Sequence, residues 1–534
     1  MKNFKILLVL ITILLCIAPT GFAQNKVKAW EETITIPTYK IYPENPYPFF
    51  DAIQSSHNHI YPYTMQDQLS REKTDKKYKV LHIENEYLRV TVAPFLGGKV
   101  YSIYDKINKR EVIYTNHVIK PALYGMRGAW CSGGIELNFP YAHTVTAFSE
   151  VTCALKENPD GSASIVISDI ERRYRMKWKA TFTLYPGKYY VEQSVKLYNR
   201  SDTPHRYYWW SIAAVPVNDD CQMIYPAQRV IEHWRTKIYK WPIADGSVEP
   251  MLKGKNISFH KNIPHSVCWS AYLPTDDYFC YYDHRINKGI AHYGDRYILE
   301  GTKFWDFGNY PAGHYAASVV LTDNDGPYNE IDSGLFLTQT VFHFLPPQAV
   351  ICWKEYWFPI NDTKGLVTAT KKAALNILKK DNKLEVLLNS NEPLKNATLI
   401  VKAGKRELLN KVIAINPGVV YSEEIPFSKD DGKVSVILTS ENGEKLLDYV
   451  EKQPIPEEEL PKPGIYPEKI KPIIEMTAEE AYVEGINRLR FEEVQEAIDY
   501  FNHALKIDPG YSQAHNALGI IDYKWGKWDD AVPH

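Results

Sequence analysis

Asn85–Tyr114 reads NEYLRVTVAPFLGGKVYSIYDKINKREVIY. Short apolar runs (LRVTVAP, KVYSIYD, REVIYT) alternate with polar residues and are divided at Gly97-Gly98 and at Lys106-Ile107-Asn108. Alternation of period two, interrupted by turn residues, is the pattern of half-buried antiparallel strands. The same texture precedes it in KVLHI (79–83) and follows it in SASIVISDI (162–170), RRYRMKWKATFTLYP (172–186) and YYVEQSVKLYNRS (189–201). It continues through YILEGTKFWDFG (297–308), YAASVVLTD (315–323) and FLTQTVFHFLPP (336–347). Strands of this length without an intervening helical period predict one large β-sandwich over residues 81–365. A propeller is the alternative architecture, but no blade-length self-similarity is visible.

Within this region Arg127–His143, RGAWCSGGIELNFPYAH, gathers an Arg, a Glu, a His and three aromatics around a Ser-Gly-Gly turn. Flat aromatic faces with a few converging polar groups suit a sugar ring. A hairpin turn with an exposed Glu136 and a satisfied His143 is the plain structural alternative.

Asn85–Tyr114 resembles the opening of galactose-mutarotase-like domains, and VKLYNRSDTPHRYYWWSIAAVPV (195–217) resembles the segment in which sugar epimerases carry an active-site His. The set GAWCSGGIELNFP (128–140), YYWWSIAAVPV (207–217), KFWDFG (303–308) and DGPYNEIDSGLFLTQ (325–339) is similar to a family of mutarotase-like domains joined to tetratricopeptide (TPR) arrays. The likeness covers roughly residues 30–365 and implies a mainly β chain whose galactose-mutarotase-like supersandwich has a sugar-sized groove on one face. The aldose epimerases use a His acid and a late Glu base. Here Tyr208, Trp209 and Trp210 hold the place of the His, and Glu330 matches the base.

Two carboxyls reaching one sugar are the minimum for glycoside hydrolysis, so Glu136 and Glu330 are the expected catalytic pair, with His143 beside them. Expected substrate contacts are Arg127, Trp130, Tyr208, Trp210, Glu300, Trp305 and His314. Consecutive Trp209 and Trp210 would point to opposite faces of a strand, leaving at most one for the groove. A non-catalytic glycan-binding protein and a sugar epimerase are the alternatives; the epimerase needs an acid this reading does not place. No cofactor is expected. Asp323–Gly326 (DNDG) fails the EF-hand spacing but leaves a calcium ion possible, and His57 with His59 forms an isolated HxH pair.

Around this domain, Lys2, Lys5, the apolar run Ile6–Ile17 and Thr20-Gly21-Phe22-Ala23 read as a secretory signal peptide, residues 1–23, cut after Ala23. The run is shorter than the roughly 20 apolar residues of a membrane span. The protein is expected to be periplasmic or secreted. Residues 24–80, rich in Pro and Tyr, read as an extended N-terminal lead-in. The balance of 62 Lys and Arg against 64 Asp and Glu gives no basic surplus for nucleic acid. The cysteines are widely spaced, and neighbours such as Ile351 and Trp353 suggest core thiols.

Residues 367–452 alternate again (KLEVLLNS, NATLIVKAG, KVSVILTS) and predict an Ig-like β-sandwich. A Pro- and Glu-rich linker, 453–475, leads to a helical tail, 476–534, in which Gly485 and Gly519, like Ala497 and Ala531, lie one TPR period apart. The tail is an α-helical TPR unit with a truncated second repeat, and a protein partner is expected there. Expected partners are thus a carbohydrate and a protein, with no nucleic acid and no membrane span.

Overall fold

The computed structural model describes residues 26–46, 62–233, 237–428, 431–460, 471–490 and 493–534; the expected signal segment and the His57/His59 pair lie outside them. The chain is mainly β. Its larger part is built on two antiparallel sheets. The first has twelve strands in the order Lys28–Ile41, Leu69–Glu84, Leu88–Ala93, Lys99–Asp105, Ile135–Asn138, Trp210–Pro216, Tyr328–Gly334, Gly301–Asp306, Val267–Tyr272, Arg229–Glu232 and Ile238–Lys240, with Arg110–Glu111 beside Lys99–Asp105. The second has eight: Cys221–Ile224, Tyr278–Asp283, Lys288–Gly294, Val350–Asn361, Val191–Tyr198, Lys177–Leu184, Ala163–Ile170 and Thr152–Glu157. Alternate residues such as Ile135, Leu137, Ala213, Val215 and Ile331 from the first sheet meet Ile165, Ile167, Trp178 and Val195 from the second in one buried cluster. Burying one face of each sheet is what fixes the register.

The other face of the large sheet carries the site. Glu136 is opposite Ile212, Ile212 opposite Asp332, and Asp332 opposite Lys303. One row along, Ala214 is opposite Glu330, Glu330 opposite Trp305, and Trp305 opposite Cys268. Trp210 starts the next row. Its ring lies flat on Gly334 and against Gly301, where an added Cβ would come within 2.4 Å of ring carbons. Glycine at both positions is what lets that indole sink beneath the surface.

Three expectations change. Lys28–Ile41 and Leu69–Glu84 are not a lead-in lying along the domain; they pair antiparallel as outer strands of its larger sheet. Leu69–Lys77 is solvated, so no apolar alternation marks it in the sequence, and Lys28–Ile41 buries only Ile36 and Thr38. YAASVVLTD is not a strand: Pro311–Tyr315 is α-helical and Ala316–Val320 is a π-turn, with Ala317 and Leu321, four residues apart, buried against Trp130 and Tyr328. Cys352 is exposed, because Trp353 takes the inward position and its neighbour on the strand must face out; no disulfide occurs among the described residues.

Residues 368–450 form two four-stranded sheets enclosing a separate core that includes Leu384, Val386, Leu399, Val401, Val436 and Leu438. They are tied to the large domain by reciprocal bonds between Asn361 and Asn389, at 2.7 and 2.9 Å. Helices Ala478–Arg490, Val494–Ile507, Ser512–Lys524 and Trp528–Ala531 follow. Gly485 sits under the Phe501 ring, which an added Cβ would meet at 2.5 Å, so the first two helices approach closely. No helix among the described residues is long and apolar enough to cross a membrane.

Candidate functional site: a carboxyl and an imidazole on one aromatic cavity

A cavity of about 640 Å³ opens on the polar face of the large sheet. Of the sequence-derived candidates, Trp130, His143, Tyr208, Trp305 and Glu330 line it. Aromatic planes dominate its wall, since Tyr239, Trp269, Phe307 and Phe342 join them.

Glu136 lies one layer behind. Its Oε2 accepts from Trp130 Nε1 at 2.8 Å and is 3.0 Å from His143 Nδ1, while Oε1 accepts from the Thr144 amide at 3.0 Å. Burial pushes this carboxyl up, but His143, Lys99 and the Trp130 bond together hold it down to about 2. Glu136 therefore stays ionised and committed. It cannot double as a free acid, and its effect is to orient His143, whose Nε2 has no hydrogen bond among the described residues. His143 keeps a quarter of its side chain exposed, and its ring packs 4.6 Å from that of Trp130. Burial lowers the His143 pKa and the Glu136 carboxylate raises it; the net shift is upward.

Glu330 is 6 % exposed and makes no hydrogen bond or ion pair among the described residues. Burial raises its pKa, and the positive charges of His143 and Lys303 offset only part of that. An imidazole shifted up and a carboxyl shifted up thus share one wall, close enough to feel each other electrostatically. Each is raised above the ordinary value for its type, and perturbed groups that share a cavity are candidates for proton transfer.

The remaining candidates lie elsewhere. Arg127 is 5 % exposed and is held by the Thr64 carbonyl and hydroxyl, Ser149 and Glu44, so it braces the 62–67 segment and does not reach the cavity. Trp210 is fully buried under the cavity floor, and Trp209 packs in the inter-sheet core with Trp178 and Trp353. Neither Trp of the pair lines the cavity; Tyr208 does. Glu300 is exposed at a turn away from it, and His314 bonds Asn309 at 2.9 Å. Asp323 of the DNDG turn is held by Lys73, Lys120 and Tyr39, so its oxygens are already bound by cations and a hydroxyl. No group of three or more metal-ligating side chains occurs among the described residues.

Sequence reasoning missed Lys303, Glu232, His233, Glu249 and His265, all of which line the cavity. Lys303 was findable, since it stands two residues before Trp305 on the same strand face. Glu249 and His265 come from loops without periodicity and left no such signal.

A family model described as a domain of unknown function (DUF5107) matches residues 55–360, more than half of the chain. The chain belongs to the DUF5107 family. Residues 368–449 of this DUF5107 protein match a second model, the second domain of YphG-like proteins. A TPR-domain containing protein from Parabacteroides distasonis shares the fold, with a TM-score of 0.57 at 20% identity over 95% of this chain and 79% of that one. Galactose mutarotase-like proteins from Clostridium acetobutylicum (TM-score 0.39, 12% identity, 53% of this chain and 96% of that one) and Lactobacillus casei (0.36, 11%, 52% and 99%) are also similar to part of this chain.

The Glu136–His143 pair has a measurable signature. Because Glu136 titrates near 2 in the folded chain and near the ordinary carboxylate value when unfolded, its stabilisation is complete above about pH 4.5 and is lost as pH falls toward 2. Glu136→Gln is expected to remove that pH-dependent component. Denaturant titrations at pH 7 and pH 3 should show a smaller difference between the two pH values in the variant than in the parent, and an unchanged difference would contradict the assignment.

Proposed function

We propose that this DUF5107 protein is an exported carbohydrate-active enzyme that uses Glu330 and His143 as an acid–base pair at the anomeric centre of a sugar. The observation that carries the reading is that these two groups line one aromatic cavity while Glu136 sits behind His143 with its oxygens bonded. Ionised Glu330 removes the proton of the anomeric hydroxyl and imidazolium His143 protonates the ring oxygen, so the ring opens and recloses; the two protons return by the reverse path. His143 would be the acid for which the sequence offered no position. Hydrolysis by Glu136 and Glu330 is the weaker reading, because Glu136 is buried behind Trp130 and His143 and does not line the cavity where a glycosidic bond would lie.

The domain at 368–450 acts in this proposal as an Ig-like spacer, and the helices from 478 onward as a TPR-type unit that binds a protein partner. Small residues at the helix contacts, among them Gly485, Ala497 and Ala504, support that reading.

The test is anomer exchange. Freshly dissolved α-anomers of several aldoses, followed by NMR, should equilibrate faster with the protein than in buffer. The same panel as aryl glycosides reports hydrolysis. Release of aryl alcohol without faster anomer exchange would replace the isomerase reading with a hydrolase, and sugar binding with neither activity would leave a glycan-binding protein. The rate profile should be bell-shaped, its acid limb set by Glu330 above the usual carboxylate range and its alkaline limb by His143 above the usual imidazole range.

A further inference from the structure

The cavity extends well beyond the reach of Glu330 and His143. Tyr239, on the last strand of the large sheet, lies four strands from Glu330, which at ~4.8 Å per strand is roughly 19 Å along the sheet. That span exceeds one pyranose ring. At about 30 Å³ per water, 640 Å³ is also roughly twenty water volumes, more than a single hexose of about a dozen heavy atoms fills.

The far end is itself built for a polar ligand. Glu249 accepts from the Tyr239 hydroxyl at 2.6 Å through Oε1 and is 2.8 Å from His265 Nε2 through Oε2. His265 Nδ1 in turn faces the Ser266 carbonyl at 3.2 Å, so both ring nitrogens act as donors and the ring is fixed. Each Glu249 oxygen keeps a second lone-pair direction, and the Lys237 ammonium stands at the rim. Behind this end the buried Trp269 ring packs 4.9 Å from that of Tyr239 and holds it in place. An oriented carboxylate–imidazole pair therefore occurs twice on this cavity, once at Glu136–His143 and once at Glu249–His265.

We infer that the Glu249–His265–Tyr239 end is a second sugar subsite and that the ligand is a neutral reducing disaccharide, with its reducing ring at Glu330 and its second ring at Glu249. The inference rests on the sugar-acting reading of Glu330 and His143, and it adds the class of substrate. Glu249 accepts hydroxyl protons of the second ring, and Lys237 donates to its oxygens.

The experiment is calorimetric titration of the Glu330→Gln protein, which holds ligand without turning it over, with lactose, cellobiose and maltose against galactose and glucose. At least one disaccharide should bind about tenfold or more tightly than its component monosaccharides, the range that a set of pocket contacts supplies. Disaccharides binding within about twofold of the monosaccharides would overturn the inference. Glu249→Gln and, as the milder change, Tyr239→Phe should each bring the preference down by about threefold or more. A preference that survives both changes would also overturn it. The two readings fail separately: a disaccharide preference without catalysis leaves the subsite standing, and anomer exchange on monosaccharides without a preference removes it. No binding of any of the five sugars removes both.

Discussion

Glu330→Gln should lower the rate of sugar turnover by about 10³-fold, within the range attributed to a positioned proton-transfer group, while sugar affinity changes little. The amide keeps the shape of the carboxyl and one acceptor oxygen, yet it can neither take up nor release the proton. Glu330 bonds no other described side chain, so the substitution leaves no structural partner unsatisfied and the fold should be unaffected. Comparison with Glu136→Gln separates roles. Loss of Glu136 acts through His143, lowering its pKa toward the ordinary value and moving the alkaline limb of the rate profile to lower pH, whereas loss of Glu330 removes the acid limb. If Glu330→Gln turns over sugar at the parental rate, Glu330 is not the proton acceptor and the acid–base assignment fails.

Much of the fold was legible because the buried strands alternate. Leu88, Val90 and Val92 face one core, and the Gly97-Gly98 turn that follows has both glycines in the left-handed region, where other residues are strained. The outer strands Lys28–Ile41 and Leu69–Glu84 were less legible, since Leu69–Lys77 is solvated and carries no hydrophobic period and Lys28–Ile41 buries only Ile36 and Thr38. The helical Pro311–Val320 segment reads as a strand because Val319 and Val320 favour one; the contact of Ala317 and Leu321 with Trp130 and Tyr328 overrides that preference.

The site was legible in its clustered part. Trp130, Glu136 and His143 lie within seventeen residues of each other, and the structure keeps them in mutual contact. What the sequence could not convey was depth: Glu136 and Trp210 have the residue types of a sugar site but sit behind the wall, one fastened to His143 and the other sunk on Gly334. Nor could it bring together Glu249 and His265, sixteen residues apart across irregular chain.

The largest effect on stability is expected at Lys303. It is 1 % exposed, forms an ion pair with the fully buried Asp332 directly opposite on the neighbouring strand, and stands 5.3 Å from the centre of the Trp210 ring. Asp332 has a second oxygen, Oδ1, that finds no hydrogen-bond partner among the described residues, so Lys303 is the charge that makes its burial tolerable. Lys303→Met removes that charge with little change in volume and should cost about 3–5 kcal/mol, the penalty for leaving one member of a buried pair uncompensated. The pair itself need not be stabilising, because the desolvation of two charges offsets most of their attraction. The double variant Lys303→Met with Asp332→Leu should therefore recover most of what the single one loses, as read from denaturant midpoints at constant m-value. A single variant that loses less than about 1 kcal/mol, or a double variant no more stable than the single, would show that the polar face beneath the cavity is hydrated and that Asp332 is not a desolvated charge.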